Sequence, residues 1–178
     1  ILTGFILLNL LIRWISIWGP PLDDDEGIYL LMGRFILEGH LPYVHYWDHQ
    51  PPLIYYLSAF AQLFSQENAL AGVRIIAAVF TGTTAWILFC LYRILFHSFF
   101  YGILCGVVYS LWIYSPGLGG WAYNNEILFN VFTSGSLLIL FQSIQNRFLG
   151  QKTVFIAGLC MGMGFLTKQN VIFDCLPF

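Results

Sequence analysis

The groups in this chain best suited to chemistry are the acidic run Asp23-Asp24-Asp25-Glu26, the trio Asp48-His49-Gln50 and, much later, Glu126. Six of the nine acidic residues and three of the four histidines fall between residues 23 and 52. A carboxylate held beside a substrate hydroxyl can take its proton, a role worth ~10²–10⁴-fold in rate. Cations matter where charge develops on a departing phosphate, and Arg13, Arg74 and Lys168 lie in or at the end of apolar runs. An acid-rich loop bounded by oily segments points to a reaction centre at a membrane surface.

The elements that must position these groups follow from composition. Of 178 residues 58% are hydrophobic and only 9% charged, against about 25% charged in a soluble domain. The mean hydropathy is +0.75. So few charges cannot coat a globule of this size, and the class is an all-α polytopic membrane protein. The net charge of −2 argues against nucleic-acid binding. Cys90, Cys105, Cys160 and Cys175 sit in apolar runs without metal-ligand spacing and read as packing residues. The chain starts at Ile1 and stops among apolar residues, so it reads as the N-terminal part of a longer protein.

Patterning predicts about five transmembrane helices and two amphipathic surface helices. Residues 1–18 form the first span, ended by Gly19-Pro20-Pro21. Arg13 inside it has two readings, a side chain snorkelling to the headgroups or a cation held at membrane depth for phosphate or the nearby acids. An outer loop, 19–68, carries surface helices at 24–38 and 51–65. The acids suit the first turn of the 24–38 helix, where free N–H groups favour negative charge. Asp25, Tyr29, Met32 and Ile36 share one face of it, an apolar stripe expected to lie on the bilayer.

Residues 41–50 (LPYVHYWDHQ) read as an extended aromatic segment, with rings suited to the headgroup level or to sugar. Leu53, Leu57, Phe60 and Phe64 form the stripe of the 51–65 helix, which is short against the ~20 residues a span needs. Further spans are predicted at 69–96, 99–115, 126–145 and 153–168, with a second outer loop at 116–125 and basic turns at Arg93/His97 and Arg147/Lys152. If 51–65 does not cross, the Asp25 loop and Glu126 fall on one side and those basic turns on the other. The basic side is then cytoplasmic, and the site faces the periplasm or exterior from the cytoplasmic membrane.

No nucleotide pool exists outside that membrane, so group transfer there uses lipid-linked donors. A polyprenyl-phosphate sugar needs a base, for which Asp25 is placed, cations at the phosphate, and an apolar groove for the lipid. The pattern Asp25-Glu26-x-x-Tyr29, Gly39, Pro42-Tyr43, Asp48-x-x-Pro51-Pro52-x-x-x-Tyr56 resembles the first outer loop of C-type membrane glycosyltransferases. Within them it is most similar to the protein O-mannosyltransferase and aminoarabinose-transferase group. The resemblance implies inverting transfer from a polyprenyl-phosphate sugar to a protein, lipid or glycan hydroxyl. It makes Asp25, of the Asp25-Glu26 pair, the catalytic base and Glu126 the acid of the second outer loop. Tyr29, Asp48, His49, Gln50 and Tyr56 are the candidate substrate contacts, beside the cations Arg13, Arg74 and Lys168 read from their place in the apolar runs. Family members often carry Lys or Arg before the proline that opens the second surface helix. Here that residue is Gln50, which directs attention to Arg74 or Lys168 as the phosphate contact. No cofactor is expected; a divalent cation on Asp23, Asp24, Asp25 and Asp48 is the less favoured option. The rival readings are a transporter or lipid flippase and a non-catalytic scaffold of envelope glycan synthesis.

Overall fold

The computed structural model describes residues 1–64, 67–115, 117–146 and 150–170. Seven helices follow in order among them: α1 (Leu2–Ile17), α2 (Asp24–Leu37), α3 (Leu53–Phe64), α4 (Ala69–Phe96), α5 (Phe99–Trp112), α6 (Asn125–Gln145) and α7 (Gln151–Phe165). The described residues contain no strand beyond one isolated bridge between Pro42 and Tyr46. Arg147, Cys175 and the last apolar segment lie outside the described residues.

Helix α4 is the axis. It packs against α1, α5 and α6, while α7 lies on α6, α2 on α3, and α3 on α4. Small residues allow this. Ala71, Ala77, Ala78 and Ala85 of α4 are buried, and a Cβ on Gly82 would lie 2.6 Å from the Ile6 Cα of α1. At 28 residues α4 is about 42 Å long, and it and α6 are long and apolar enough to cross a membrane. The other predicted spans are shorter helices: 16 residues in α1, 14 in α5 and 15 in α7. Large apolar side chains face outward along the bundle, among them Leu11, Ile15, Phe100, Trp112 and Phe155.

Helix α2 begins as its acids dictate. Asp23 is the N-cap and accepts the Asp25 N–H at 3.3 Å, and Gly39, at φ +89°, follows its end. Two expectations are corrected, one on α2 and one on residues 41–46. The Tyr29–Met32 face of α2 does not lie on the bilayer; it is buried against α3 and α6, and Ile28 and Leu31 face outward instead. Helix α3 divides its apolar and polar residues between two sides. Phe60 and Phe64 of its stripe are exposed, while Tyr55, Ser58 and Gln62 face the protein. An apolar face can turn to lipid at no cost, whereas polar groups need internal partners, and Gln62 finds one in the Leu30 carbonyl at 2.8 Å. Residues 41–46 are not extended. They close a turn in which the Tyr43 N–H donates to the Tyr46 carbonyl at 2.8 Å, Tyr43 adopts φ +65°, and the Tyr46 ring stacks on Phe35 at 3.8 Å.

Candidate active site

Four chain segments meet at one end of the bundle: the start of α2, the loop into α3, the start of α6 and the end of α7. The Leu53 N–H donates to the Leu166 carbonyl at 3.0 Å, and the Gln169 amide donates to the His49 carbonyl at 3.2 Å. The Tyr123 hydroxyl reaches the Ile54 carbonyl at 2.9 Å. Backbone carbonyls thus tie the loop into α3 to the end of α7 and the loop before α6 to α3.

At the centre are two buried tyrosines, Tyr29 and Tyr55, with ring centroids 6.0 Å apart. The Tyr29 hydroxyl donates to Asp25 Oδ2 at 3.4 Å and accepts from the Asn125 amide at 3.1 Å. The Tyr55 hydroxyl donates to Asp48 Oδ2 at 2.5 Å. Burial pushes the Tyr29 hydroxyl well above its ordinary pKa, and the charges of Asp25, Glu126 and Asp48 push it further. Burial, then the Asp48 carboxylate, does the same to Tyr55. Both phenols therefore remain protonated donors. Asp25 and Glu126 are a hundred and one positions apart along the chain, yet the charges of both, with that of Asp48, act on one hydroxyl.

The exposed side of the site holds the remaining charges. Lys168 pairs with Glu126 there, with about a quarter of the lysine and two-fifths of the glutamate side chain open to solvent. His49 is largely exposed and lies 3.0 Å from Asp48 Oδ1, and its ring meets the Gln50 amide at 2.9 Å. Tyr56 is also exposed, on the outer side of α3. Asp25 is half-buried.

Glu26, Arg74 and Arg13 are placed differently. Glu26 and Arg74 are fully buried and form a two-pronged pair at 2.9 and 2.6 Å. The other Glu26 partners are the Leu22 and Tyr123 N–H groups at 3.0 and 2.7 Å. Arg74 spends its other donors on the Ser16, Gly19 and Pro20 carbonyls. A guanidinium has five N–H groups, and all five are taken. Arg13 is fully buried too, not snorkelling. It donates to the Tyr114 hydroxyl at 3.2 Å and to the Gly120 and Ala122 carbonyls. The two arginines thus stitch the turn after α1 and the loop before α6 to the bundle. Of the three predicted cations, Lys168 alone stands among the exposed carboxylates.

Behind this clamp a cavity of about 530 Å³ opens between the end of α1 and the loop after α5, lined by Ile12, Ile15, Leu22, Trp121 and Ala122 with Asp23 among the lining residues. Among the described residues no three His, Cys, Asp or Glu side chains group closely enough to hold a metal ion. Sequence reasoning passed over Asn125 and Tyr55. The first reads as one more helix-capping residue in Asn124-Asn125, and the second stands next to Tyr56, so only the inward phase of α3 tells the two tyrosines apart.

No curated protein and no solved structure matches the chain. A family model does, over residues 48–178: dolichyl-phosphate-mannose-protein mannosyltransferase. The matched stretch includes Asp48, Tyr55, Arg74, Glu126 and Lys168, and α2 with Asp25 precedes it. The chain belongs to the dolichyl-phosphate-mannose-protein mannosyltransferase family, membrane glycosyltransferases of the C type.

Proposed function

We propose that this chain carries the reaction centre for inverting transfer of a sugar from a polyprenyl-phosphate donor to a hydroxyl of a protein, lipid or glycan. The observation that carries the reading is the meeting of Asp25, on the buried Tyr29 hydroxyl, with Asp48, on the neighbouring Tyr55, and with the partly exposed Glu126–Lys168 pair that follows Asn125. Asp25 takes the proton of the acceptor hydroxyl as its oxygen attacks the anomeric carbon. The bond from that carbon to the phosphate oxygen breaks on the opposite face, and its electron pair leaves with the polyprenyl phosphate. Lys168 exchanges Glu126 for the departing phosphate, where a charge-assisted contact counts most. Asp48, His49, Gln50 and Tyr56 line the substrate side. Glu26, Arg74 and Arg13 hold the scaffold. The apolar cavity beside α1 suits a lipid chain. The site faces outward from the cytoplasmic membrane, with α1, α4, α5, α6 and α7 as spans and α2 and α3 on the surface.

The test uses the intact protein in membranes supplied with polyprenyl-phosphate mannose and, in parallel, polyprenyl-phosphate aminoarabinose. Release of polyprenyl phosphate is followed together with sugar incorporation. Asp25→Asn is expected to lower both by ~10²-fold or more while membrane insertion is unchanged. Near wild-type release in that variant overturns the assignment of the base. Lipid crossing the membrane without bond cleavage supports the flippase reading instead.

A further inference from the structure

Asn125 stands first in α6, one residue before Glu126, and it does not cap the helix. Asn124 does that, its side chain accepting the Ile127 N–H at 3.2 Å. The Asn125 side chain is instead buried in the site, 2% exposed, with Nδ2 donating to the Tyr29 hydroxyl at 3.1 Å. Its Oδ1 is buried without a partner. An unpaired buried acceptor is unfavourable, so no hydrogen bond of that oxygen accounts for an asparagine here. The amide donor is the group with a partner.

A phenol has one proton and can also accept. With the Asn125 amide on its oxygen, Tyr29 sends its proton elsewhere, and the partner it meets is Asp25 Oδ2 at 3.4 Å. Of the three carboxylates whose charge acts on this hydroxyl, those of Asp25, Asp48 and Glu126, Asp25 alone is hydrogen-bonded to it. Asp48 already receives the Tyr55 proton, and Glu126 is paired with Lys168. The hydrogen bonds therefore run one way, Asn125 to Tyr29 to Asp25.

We propose that Asn125 is a positioning residue for the base. By donating to Tyr29 it turns the phenol proton onto Asp25 Oδ2, which fixes the carboxylate plane and leaves Oδ1 as the oxygen presented to the acceptor hydroxyl. This rests on Asp25 being the base, as proposed above.

The test compares kcat and KM for polyprenyl-phosphate mannose in the intact protein across Asn125→Leu, Asn125→Asp, Tyr29→Phe and the Asn125→Leu/Tyr29→Phe double variant, with Asp25→Asn as reference. Leucine removes the donor with little change of volume; aspartate keeps the shape, cannot donate when ionised, and draws the Tyr29 proton to itself. The expected result is a fall in kcat of about tenfold in Asn125→Leu and more in Asn125→Asp, with KM within about twofold. In the Tyr29→Phe background, Asn125→Leu is expected to change kcat by less than about twofold, because residues acting through one another do not add. Asn125→Leu with wild-type kcat overturns the inference, as does an undiminished effect in the Tyr29→Phe background. Transfer that survives Asp25→Asn removes the base assignment and this inference with it. Transfer that needs Asp25 yet ignores Asn125 removes this inference alone.

Discussion

Glu26 and Arg74, forty-eight positions apart in sequence, meet through two charge-assisted hydrogen bonds of 2.6 and 2.9 Å with neither side chain exposed. The pair joins the first turn of α2 to α4, and through the remaining Arg74 donors it also grips the Ser16, Gly19 and Pro20 carbonyls at the end of α1. Removing one partner of such a pair leaves a buried charge, at a cost of about 3–5 kcal/mol. Arg74→Met and Glu26→Gln are each expected to lower the thermal stability of the detergent-extracted protein strongly, seen as early aggregation in size-exclusion chromatography after heating. A melting curve for Arg74→Met that overlays the wild type would show that the clamp does not hold the fold.

Lys168 makes the opposite case. Its pair with Glu126 is partly open to solvent, and exposed pairs contribute only about 0–1 kcal/mol. Lys168→Met is therefore expected to leave the melting temperature almost unchanged. If the ammonium holds the donor phosphate, a lost charged hydrogen bond of about 1.5–3 kcal/mol lowers kcat/KM by roughly 10–100-fold. Steady-state kinetics beside a melting curve separates the two effects, and unchanged kinetics would remove Lys168 from the phosphate.

The topology has its own measurement. Helix α3 has 12 residues, about 18 Å of helix, against a hydrocarbon core of about 30 Å. The turn at Val44, which precedes α3, and the loop at Leu118, two spans after it, should then lie on the same, outer side. Both positions are exposed, whereas Gly120 packs on the Ile113 carbonyl with no room for a side chain. Val44→Cys and Leu118→Cys, in a background without the native cysteines, are expected to react equally with an impermeant maleimide added outside intact cells. Labelling from opposite sides would mean that α3 crosses.

The buried phenols set an alkaline limit. Tyr29 and Tyr55 have hydroxyls raised above the ordinary tyrosine value, which lies near 10. Above about pH 10 the unfolded chain releases these protons and the folded chain keeps them, so the unfolded state binds fewer protons and stability falls as pH rises. Below that range the stabilisation is fully present. The melting temperature is expected to decline past about pH 10, and the decline is expected to be shallower in Tyr29→Phe or Tyr55→Phe. Wild-type steepness in both variants would mean that other groups set the limit.

How much of this could be read from the residues differs from element to element. The bounds of α4 are legible because the polar Asn68 and His97 bracket a long, mostly apolar run, and the start of α2 is legible because its acids match the charge of a helix N-terminus. The spacing of Asp25 and Tyr29 puts them on one face, and they are in contact. Three things were hidden. Which face of α2 or α3 turns inward cannot be told from apolar periodicity when lipid competes with the core for the same side chains. The partner of Glu26 is set by how α2 crosses α4, a tertiary relation with no local signal. The turn at 41–46 depends on Tyr43 in a left-handed conformation more usual for glycine.

The packing of α2 on α3 yields the last prediction. Gly33 of α2 faces α3 so closely that a Cβ there would lie 2.7 Å from the Ala59 backbone nitrogen, 2.7 Å from Gln62 Nε2 and 2.8 Å from Ser58 Oγ. The two side chains can yield, but the Ala59 backbone cannot without moving α3. Gly33→Ala adds helix propensity, worth about 0.8–1 kcal/mol in an open helix, yet overpacking of this kind costs about 1–3 kcal/mol. The net expectation is a modest loss of stability. It should come with a larger loss of sugar transfer, because prying α2 from α3 separates the Asp25–Tyr29 pair from Asp48 and Tyr55 without altering any of them. A Gly27→Ala control, on the open face of α2 where nothing lies within 4 Å, is expected to keep activity. Equal activity in the two variants would show that the site tolerates movement of α2.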